Sequence, residues 1–368
     1  MNARARRRYS RHLLIPEVGL AGQERLNASR VLVIGAGGLG SPALQYLAAA
    51  GVGRIGIVDD DLVDETNLQR QTIFSESDIG RNKAAAAAQR IQAINPLVNV
   101  DALSLRFDSS NARELVHLYD VVLDCTDRFP SRYLINDACF LEKRADVYGS
   151  IFRFDGQVSV FGTAAGPCYR CLYPEPPPPE SRPTCADGGV LGALAGIVGA
   201  WQASEALKLL LGIGEVLAGR LLLIDTLSGR TREVRFERDP QCSLCGERGV
   251  ISQIAPETYE DAPADSPVEE IEADQLDEAL REARLLDVRE RHEAVLGSVD
   301  GAIRIPASEL EARMYQLDSA SRYVVACRVG AKSLWAVRRL HDAGFTRLQH
   351  LRGGLLSYAL RHEEFEFF

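Results

Sequence analysis

The 368-residue chain is poor in lysine. Only Lys83, Lys143, Lys208 and Lys332 are present, so arginine carries nearly all of the 42 positive charges. These are outnumbered by 51 acidic residues, and a net charge of −9 argues against nonspecific attraction to nucleic acid or anionic membrane. No apolar run is long enough to span a bilayer: the longest, Val190–Trp201, ends in Gln202, Glu205 and Lys208. The Arg-rich start (Arg4, Arg6, Arg7, Arg8, Arg11) has no apolar segment behind it, which favours a basic arm of a folded, cytoplasmic chain over a secretory signal. A Gly-x-x-x-x-Gly-Lys-Ser/Thr loop is also missing, which leaves P-loop NTPases unsupported.

At roughly 100–200 residues per domain, the length implies two domains. Between Ala255 and Glu270 there are three prolines, six acidic residues and no Lys or Arg, the composition of a solvated linker. The expected division is a first domain over 1–249, a linker over 250–266 and a second domain over 267–368. Strand Arg30–Ile34, helix Ser41–Ala50, strand Ile55–Val58, helix Lys83–Ile94, strand Val98–Leu103 and strand Asp120–Leu123 predict an α/β fold with a doubly wound, Rossmann-like sheet. Gly156–Phe161, Arg220–Asp225 and Thr231–Phe236 predict antiparallel strands appended to it. A small α/β domain follows, with strands Arg284–Asp287 and Arg322–Ala326, helix Ala331–Ala343 and a last strand at Leu348–Leu351.

Gly35, Gly37 and Gly40, with Asp59 19 residues after the last, match the dinucleotide fingerprint. Glycines let backbone N–H groups approach a phosphate at a helix N-terminus, and a carboxylate at the next strand end accepts from ribose hydroxyls. That spacing alone favours NAD or FAD. A pyrophosphate needs no further cations, however, whereas Arg70, Lys83 and Arg11 supply the counter-charge of a triphosphate. Asp127, at a strand end on the same crevice, suits Mg²⁺, which takes one or two carboxylates plus phosphate oxygens.

The eight cysteines include two Cys-x-x-Cys pairs, Cys168/Cys171 and Cys242/Cys245. In an intracellular chain such pairs read as metal or redox chemistry rather than a disulfide framework. Four thiolates suit a closed tetrahedral zinc site, with a redox dithiol as the alternative. Cys125 and Cys139 lie in apolar settings and are expected in the core.

Gly-Ala-Gly-Gly-Leu-Gly-Ser (35–41, including Gly38), Thr-Asn-Leu-Gln-Arg-Gln (66–71), Cys-Thr-Asp (125–127) and Cys-Tyr-Arg-Cys (168–171) resemble the MoeB/ThiF group of ubiquitin-activating-type enzymes, from about Tyr9 to Gly246. The resemblance implies that ATP adenylates the C-terminal glycine of a small ubiquitin-like sulfur carrier ending in Gly-Gly. It puts Asp59 on the ribose, Arg70 and Lys83 on the triphosphate with Asn67 and Gln71 beside them, Mg²⁺ on Asp127 and zinc on the four paired cysteines. It also implies a homodimer in which Arg11 reaches into the neighbouring subunit's site. Cys185, in a loop after four prolines, resembles the family's loop cysteine that captures the activated carboxylate; an incidental loop thiol is the equal alternative.

Cys327 lies between a strand and a helix, among backbone N–H donors, in Cys-Arg-Val-Gly-Ala-Lys-Ser. Arg328 and Lys332 are expected to add positive charge that stabilises a thiolate or persulfide. With Leu-Leu-Asp-Val-Arg-Glu (285–290) and Leu-Arg-Gly-Gly-Leu (351–355), this loop resembles a rhodanese domain over about Val268 to Phe368, which carries sulfane sulfur on the loop cysteine. Lys332 stands where arginine is frequent, and cannot act as the bidentate arginine that a cysteine phosphatase needs. The combined expectation is an adenylyltransferase and sulfurtransferase that makes a carrier thiocarboxylate, with a cysteine desulfurase or thiosulfate as sulfur donor. Molybdopterin synthesis is the favoured pathway, with thiamin, tRNA thiolation and cysteine synthesis open. An NAD-linked oxidoreductase fused to a rhodanese, and a scaffold that binds the carrier without turnover, are the competing readings.

Overall fold

The computed structural model describes residues 1–164, 166–176, 189–256, 259, 268–291, 293, 297, 299–359, with the side chain of residue 331 aside. They form two compact units, the first running to residue 259 and the second starting at residue 268.

In the first unit the strands are β1 (Arg30–Ile34), β2 (Arg54–Val58), β3 (Asn99–Leu103), β4 (Val121–Asp124), β5 (Ala145–Phe152), β6 (Asp155–Phe161), β7 (Arg220–Asp225) and β8 (Arg230–Arg235). The helices are α1 (Ala3–Arg8), α2 (Ser10–Leu13), α3 (Gly19–Ala28), α4 (Gly40–Ala50), α5 (Lys83–Ile94), α6 (Ala112–His117), α7 (Phe129–Leu141), α8 (Tyr169–Leu172) and α9 (Gly192–Leu211). The sheet order is β3-β2-β1-β4-β5-β6-β7-β8, parallel from β3 to β5 and antiparallel beyond. The sheet is thus mixed, and the antiparallel strands extend a Rossmann-like parallel half.

Central strands buried on both faces are continuous apolar runs, and their alternate residues feed two cores. Val31, Val33, Ile55, Ile57 and Leu123 pack with Leu44, Leu47, Ile91, Leu194 and Val198 of α4, α5 and α9. Leu32, Ile34, Val58, Val122 and Tyr148 pack on the other face with Val116, Leu134 and Ile135 of α6 and α7. Cys125 and Cys139 are both buried, as expected of core thiols.

Part of the expected linker is folded onto this unit. Ile251 packs against the paired cysteines, Ile254 joins the second core, and the buried Tyr259 donates its hydroxyl to Asp137 at 2.8 Å. Acidic composition outweighs three apolar side chains in a sequence average, but Tyr259 is buried and Ile251 and Ile254 are partly covered.

The second unit is a parallel sheet in the order β11-β10-β12-β13-β9, with β9 (Glu269–Ile271), β10 (Arg284–Asp287), β11 (Ile303–Arg304), β12 (Tyr323–Ala326) and β13 (Leu348–Leu351). Its helices are α10 (Leu276–Ala279), α11 (Leu310–Arg313), α12 (Ala331–Asp342) and α13 (Gly354–Ala359). Leu286, Val325 and Leu340 anchor one core, Val324 and Leu355 the other.

Candidate active site

The turn after β1 is possible only with glycine. Gly35 has φ +94°, and a Cβ on Gly40 would lie 2.0 Å from the Gly35 carbonyl oxygen, backbone against backbone. This tight turn aims the N-terminus of α4 at a cavity of about 390 Å³, the general geometry of an anion site at a helix start. The cavity opens at the carboxyl ends of the parallel strands, where the sheet order reverses between β1 and β4.

Gly35, Gly37, Gly38, Asp59, Asn67, Arg70, Gln71, Lys83 and Asp127 all line it. Gly40 lies behind, closing the turn. Asp59 accepts from the N–H groups of Ala36 (2.8 Å) and Asp61 (3.0 Å); burial pushes its carboxyl up, against the Ala36 N–H and the Lys83 charge. Lys83 is buried and its Nζ donates to Asp61 at 2.9 Å. Arg70 is anchored by a bond to the Thr66 carbonyl (3.0 Å). Gln71 Oε1 is buried with no partner among the described residues, a polar atom left for a ligand. Cys125 also lines the cavity, and burial pushes its thiol well up, so it is no nucleophile at neutral pH. Arg11, exposed on α2, is not among the lining residues.

Sequence reasoning passed over Arg128, Ser131 and Arg132, which line the cavity from the start of α7. The available signal was a cation in a first helical turn, where the helix dipole disfavours it.

Cys168, Cys171, Cys242 and Cys245 converge across 70 residues, all four Sγ atoms within 4.8 Å of one another. Sulfur separations are 3.5 Å (Cys168–Cys242), 3.2 Å (Cys171–Cys245) and 3.9 Å (Cys168–Cys171). Four thiolates at 2.3 Å from a central zinc would stand about 3.8 Å apart, so the set fits a tetrahedral ion. The hydrogen bond from Cys168 and the Asp239 N–H hold the Cys171 thiol below its ordinary range. Cys185 lies outside the described residues.

In the second unit β12 delivers Cys327 at its carboxyl end. Its Sγ is buried and accepts from the Gly330 N–H (3.1 Å) and the Ser333 hydroxyl (3.4 Å). The Gly330 carbonyl accepts from His350 Nε2 (3.0 Å) and lies 2.9 Å from Ser333 Oγ, so the one hydroxyl proton is shared between this carbonyl and the sulfur. The expected charge of Lys332 is not free: its Nζ is bound to the buried Glu293 at 2.7 Å. A partner 39 residues away in sequence neutralises it, so backbone and hydroxyl donors, rather than Lys332, face the sulfur.

Residues 9–244 match the ThiF family and residues 272–360 the rhodanese-like domain. The chain is 46% identical over 361 residues to a probable adenylyltransferase/sulfurtransferase MoeZ of Mycobacterium tuberculosis, covering 96% of this chain and 92% of that one. It is 51% identical over 252 residues to the sulfur carrier protein adenylyltransferase of Thermus thermophilus (67% and 93% covered), and 40% identical over 394 residues to the mouse adenylyltransferase and sulfurtransferase MOCS3 (96% and 85%). A crystal structure of Escherichia coli MccB with MccA-N7isoASN shares the fold, with TM-score 0.58 at 22% identity over 66% of this chain and 75% of that one.

Proposed function

Because the chain belongs to the ThiF family and carries a rhodanese-like domain, we propose that it is an adenylyltransferase and sulfurtransferase acting on a ubiquitin-like sulfur carrier. The observation that carries the reading is the single cavity that gathers the glycine turn, Asp59, Asn67, Arg70, Gln71, Lys83 and Asp127.

ATP would lie along this cavity with its ribose on Asp59 and its phosphates over Gly35–Gly38, Arg70 and Lys83. The carrier's terminal carboxylate attacks the α-phosphorus; a C–O–P bond forms, the bond to the β-phosphate oxygen breaks, and pyrophosphate leaves with the electron pair. The protein aligns the two reactants and stabilises the charge that moves onto the leaving group. Asp127, whose carboxylate is exposed in the cavity, would hold Mg²⁺, which supplies further neutralisation of the phosphates.

Cys327, as persulfide, attacks the acyl carbon through its outer sulfur and AMP leaves. A thiol then cleaves the resulting acyl disulfide; the carrier departs as thiocarboxylate, and Cys327 stays in a disulfide with that thiol, for which Cys185 is a candidate. Donation from Gly330 N–H and Ser333 stabilises sulfur anions on Cys327 throughout. An external dithiol would reduce that disulfide, and a cysteine desulfurase persulfide or thiosulfate would then hand sulfane sulfur to the freed Cys327 thiolate, leaving as thiol or sulfite. Cys168, Cys171, Cys242 and Cys245 would hold zinc, a cross-link that contributes folding energy and leaves no open position for chemistry. A homodimer would let Arg11 complete the neighbouring cavity; the exposed Leu14 and Ile15 beside it offer apolar surface for that contact. Among pathways, molybdopterin synthesis is our proposal, on the motifs shared with the MoeB/ThiF group.

The test is mass spectrometry of candidate Gly-Gly carriers incubated with the chain, ATP and thiosulfate or a loaded cysteine desulfurase. One carrier is expected to gain the mass of sulfur for oxygen, and Cys327→Ala to abolish the gain. No gain on any carrier overturns the reading.

A further inference from the structure

Three arginines are deeply buried among the described residues: Arg132, Arg170 and Arg289. Two have a two-pronged carboxylate partner. Arg170 Nε and Nη2 donate to Asp137 at 2.9 and 2.7 Å, and Arg289 Nε and Nη2 donate to Asp287 at 3.0 and 2.7 Å.

Arg132 breaks this pattern. It is 7% exposed, yet among the described residues Nη2 donates only to the neutral Ser150 hydroxyl (3.0 Å) and Nε has no hydrogen-bond partner. The guanidinium lies 5.1 Å from the Phe129 ring centroid and 5.6 Å from that of Tyr148. Asp124 and Asp127 act on it only through space. Those charges offset its burial, but no carboxylate among the described residues engages the fork directly, so its donors are left for an anion that arrives from outside, and Arg132 lines the cavity that receives it.

Sheet order says which anion. Asp59 and the Lys83–Asp61 pair lie beyond β2, and the glycine turn with Arg70 beside Gly38 lies beyond β1. Arg132 is bonded to Ser150 of β5, three strand spacings or about 14 Å from β2. Arg70 and Lys83, at β1 and β2, are the cations assigned above to the triphosphate, with Mg²⁺ on Asp127 and Arg11 of a second copy. The nucleophile must then approach the α-phosphate from the β4–β5 side, and it too is an anion.

We propose that Arg132 binds the C-terminal carboxylate of the carrier, a role resting on the function proposed above. Its fork receives the carboxylate oxygens, offsets the repulsion between two anions and orients one oxygen for attack. In the acyl adenylate it remains beside the carbonyl oxygen, where it polarises the carbon that the persulfide attacks.

The test compares a Gly-Gly carrier that supports ATP–pyrophosphate exchange with the wild-type chain and the same carrier bearing a C-terminal carboxamide. Their affinities are measured in the presence of a nonhydrolysable ATP analogue. Wild type is expected to prefer the acid by about 100-fold, as for removal of one partner of a desolvated charge pair. Arg132→Gln is expected to bind both carriers alike and the ATP analogue as wild type does. Because the preference is a ratio within one protein, it does not depend on how much of the variant folds; Arg132→Lys, which keeps the charge but not the fork, is expected to retain part of it. An undiminished preference in Arg132→Gln, or loss of ATP-analogue binding in equal measure, overturns the inference. Failure of every Gly-Gly carrier to support exchange with wild type overturns the proposed function as well.

Discussion

Gln202 is fully buried on α9 and ties that helix to the carboxyl edge of the sheet. Its Nε2 donates to the Asp124 carbonyl at 2.6 Å and the Val147 carbonyl at 2.9 Å, while Oε1 faces the Cys125 thiol at 3.7 Å. Gln202→Leu keeps the volume and removes both donors. Each buried carbonyl left without its donor costs about 1–3 kcal/mol, so the change costs roughly 2–6 kcal/mol in all. Against a domain stability of about 5–15 kcal/mol, that is a large fraction. The chain has two tryptophans, Trp201 in the first unit and Trp335 in the second. In a Trp335→Phe background, fluorescence during urea unfolding therefore follows the first unit alone, next to the altered residue. The expected result is a lower midpoint with an unchanged slope, together with slower carrier adenylation, since Asp124 leads directly into the loop bearing Asp127. A stability loss below about 1 kcal/mol would refute the reasoning, because two bonds this deeply buried cannot be replaced by water without reorganising the strand ends.

Gly330 has φ +102° while its N–H reaches Cys327, and a Cβ there would meet only ordinary contacts at 3.4–3.5 Å, so Gly330→Ala tests backbone strain rather than space. A cost of about 1–3 kcal/mol in the loop is expected to lower persulfide loading from thiosulfate while pyrophosphate exchange stays normal; equal loss of both activities would point to general unfolding. Asp146 is buried with Oδ1 unpartnered, and burial, then the Asp124 charge, raise its carboxyl well above the ordinary range. The native state then holds a proton that the unfolded chain has released, so stability falls as pH rises from the ordinary carboxylate range through the raised value. Asp146→Asn is expected to weaken that decline and to be more stable than wild type on the alkaline side; parallel urea midpoints across the pH range would contradict it.

β1, β2 and β4 were legible because they are short apolar runs closed by glycine or aspartate, and helix Lys83–Ile94 falls where the alanine run predicts it. β5 was not, since Asp146, Gly149 and Ser150 interrupt it and their burial depends on neighbours far along the chain. α9 was visible only as an apolar run, because it is covered on most sides and shows no single stripe. In the candidate site, Gly35, Asp59, Arg70 and Lys83 follow from spacing within local turns. Arg132 and the Glu293–Lys332 pair do not, since what singles them out is the absence or presence of a partner that only the fold supplies.

The cysteine cluster and the cavity are joined by one helix. α7 carries Arg132 at the cavity in its first turn and, a turn later, holds α8 between its two cysteines: Asn136 Oδ1 accepts from the Tyr169 N–H at 2.7 Å, and Asp137 binds Arg170. Tyr169 and Arg170 are the two residues between Cys168 and Cys171. Asp137 also takes the Tyr259 hydroxyl. The three attachments share a single rigid element, which stacks Tyr133 edge-on against Tyr169 at 5.0 Å. Whatever fixes the four sulfurs therefore fixes α8, and through it the lie of α7. A cross-link among the four sulfurs would thereby set where Arg132 stands in the cavity.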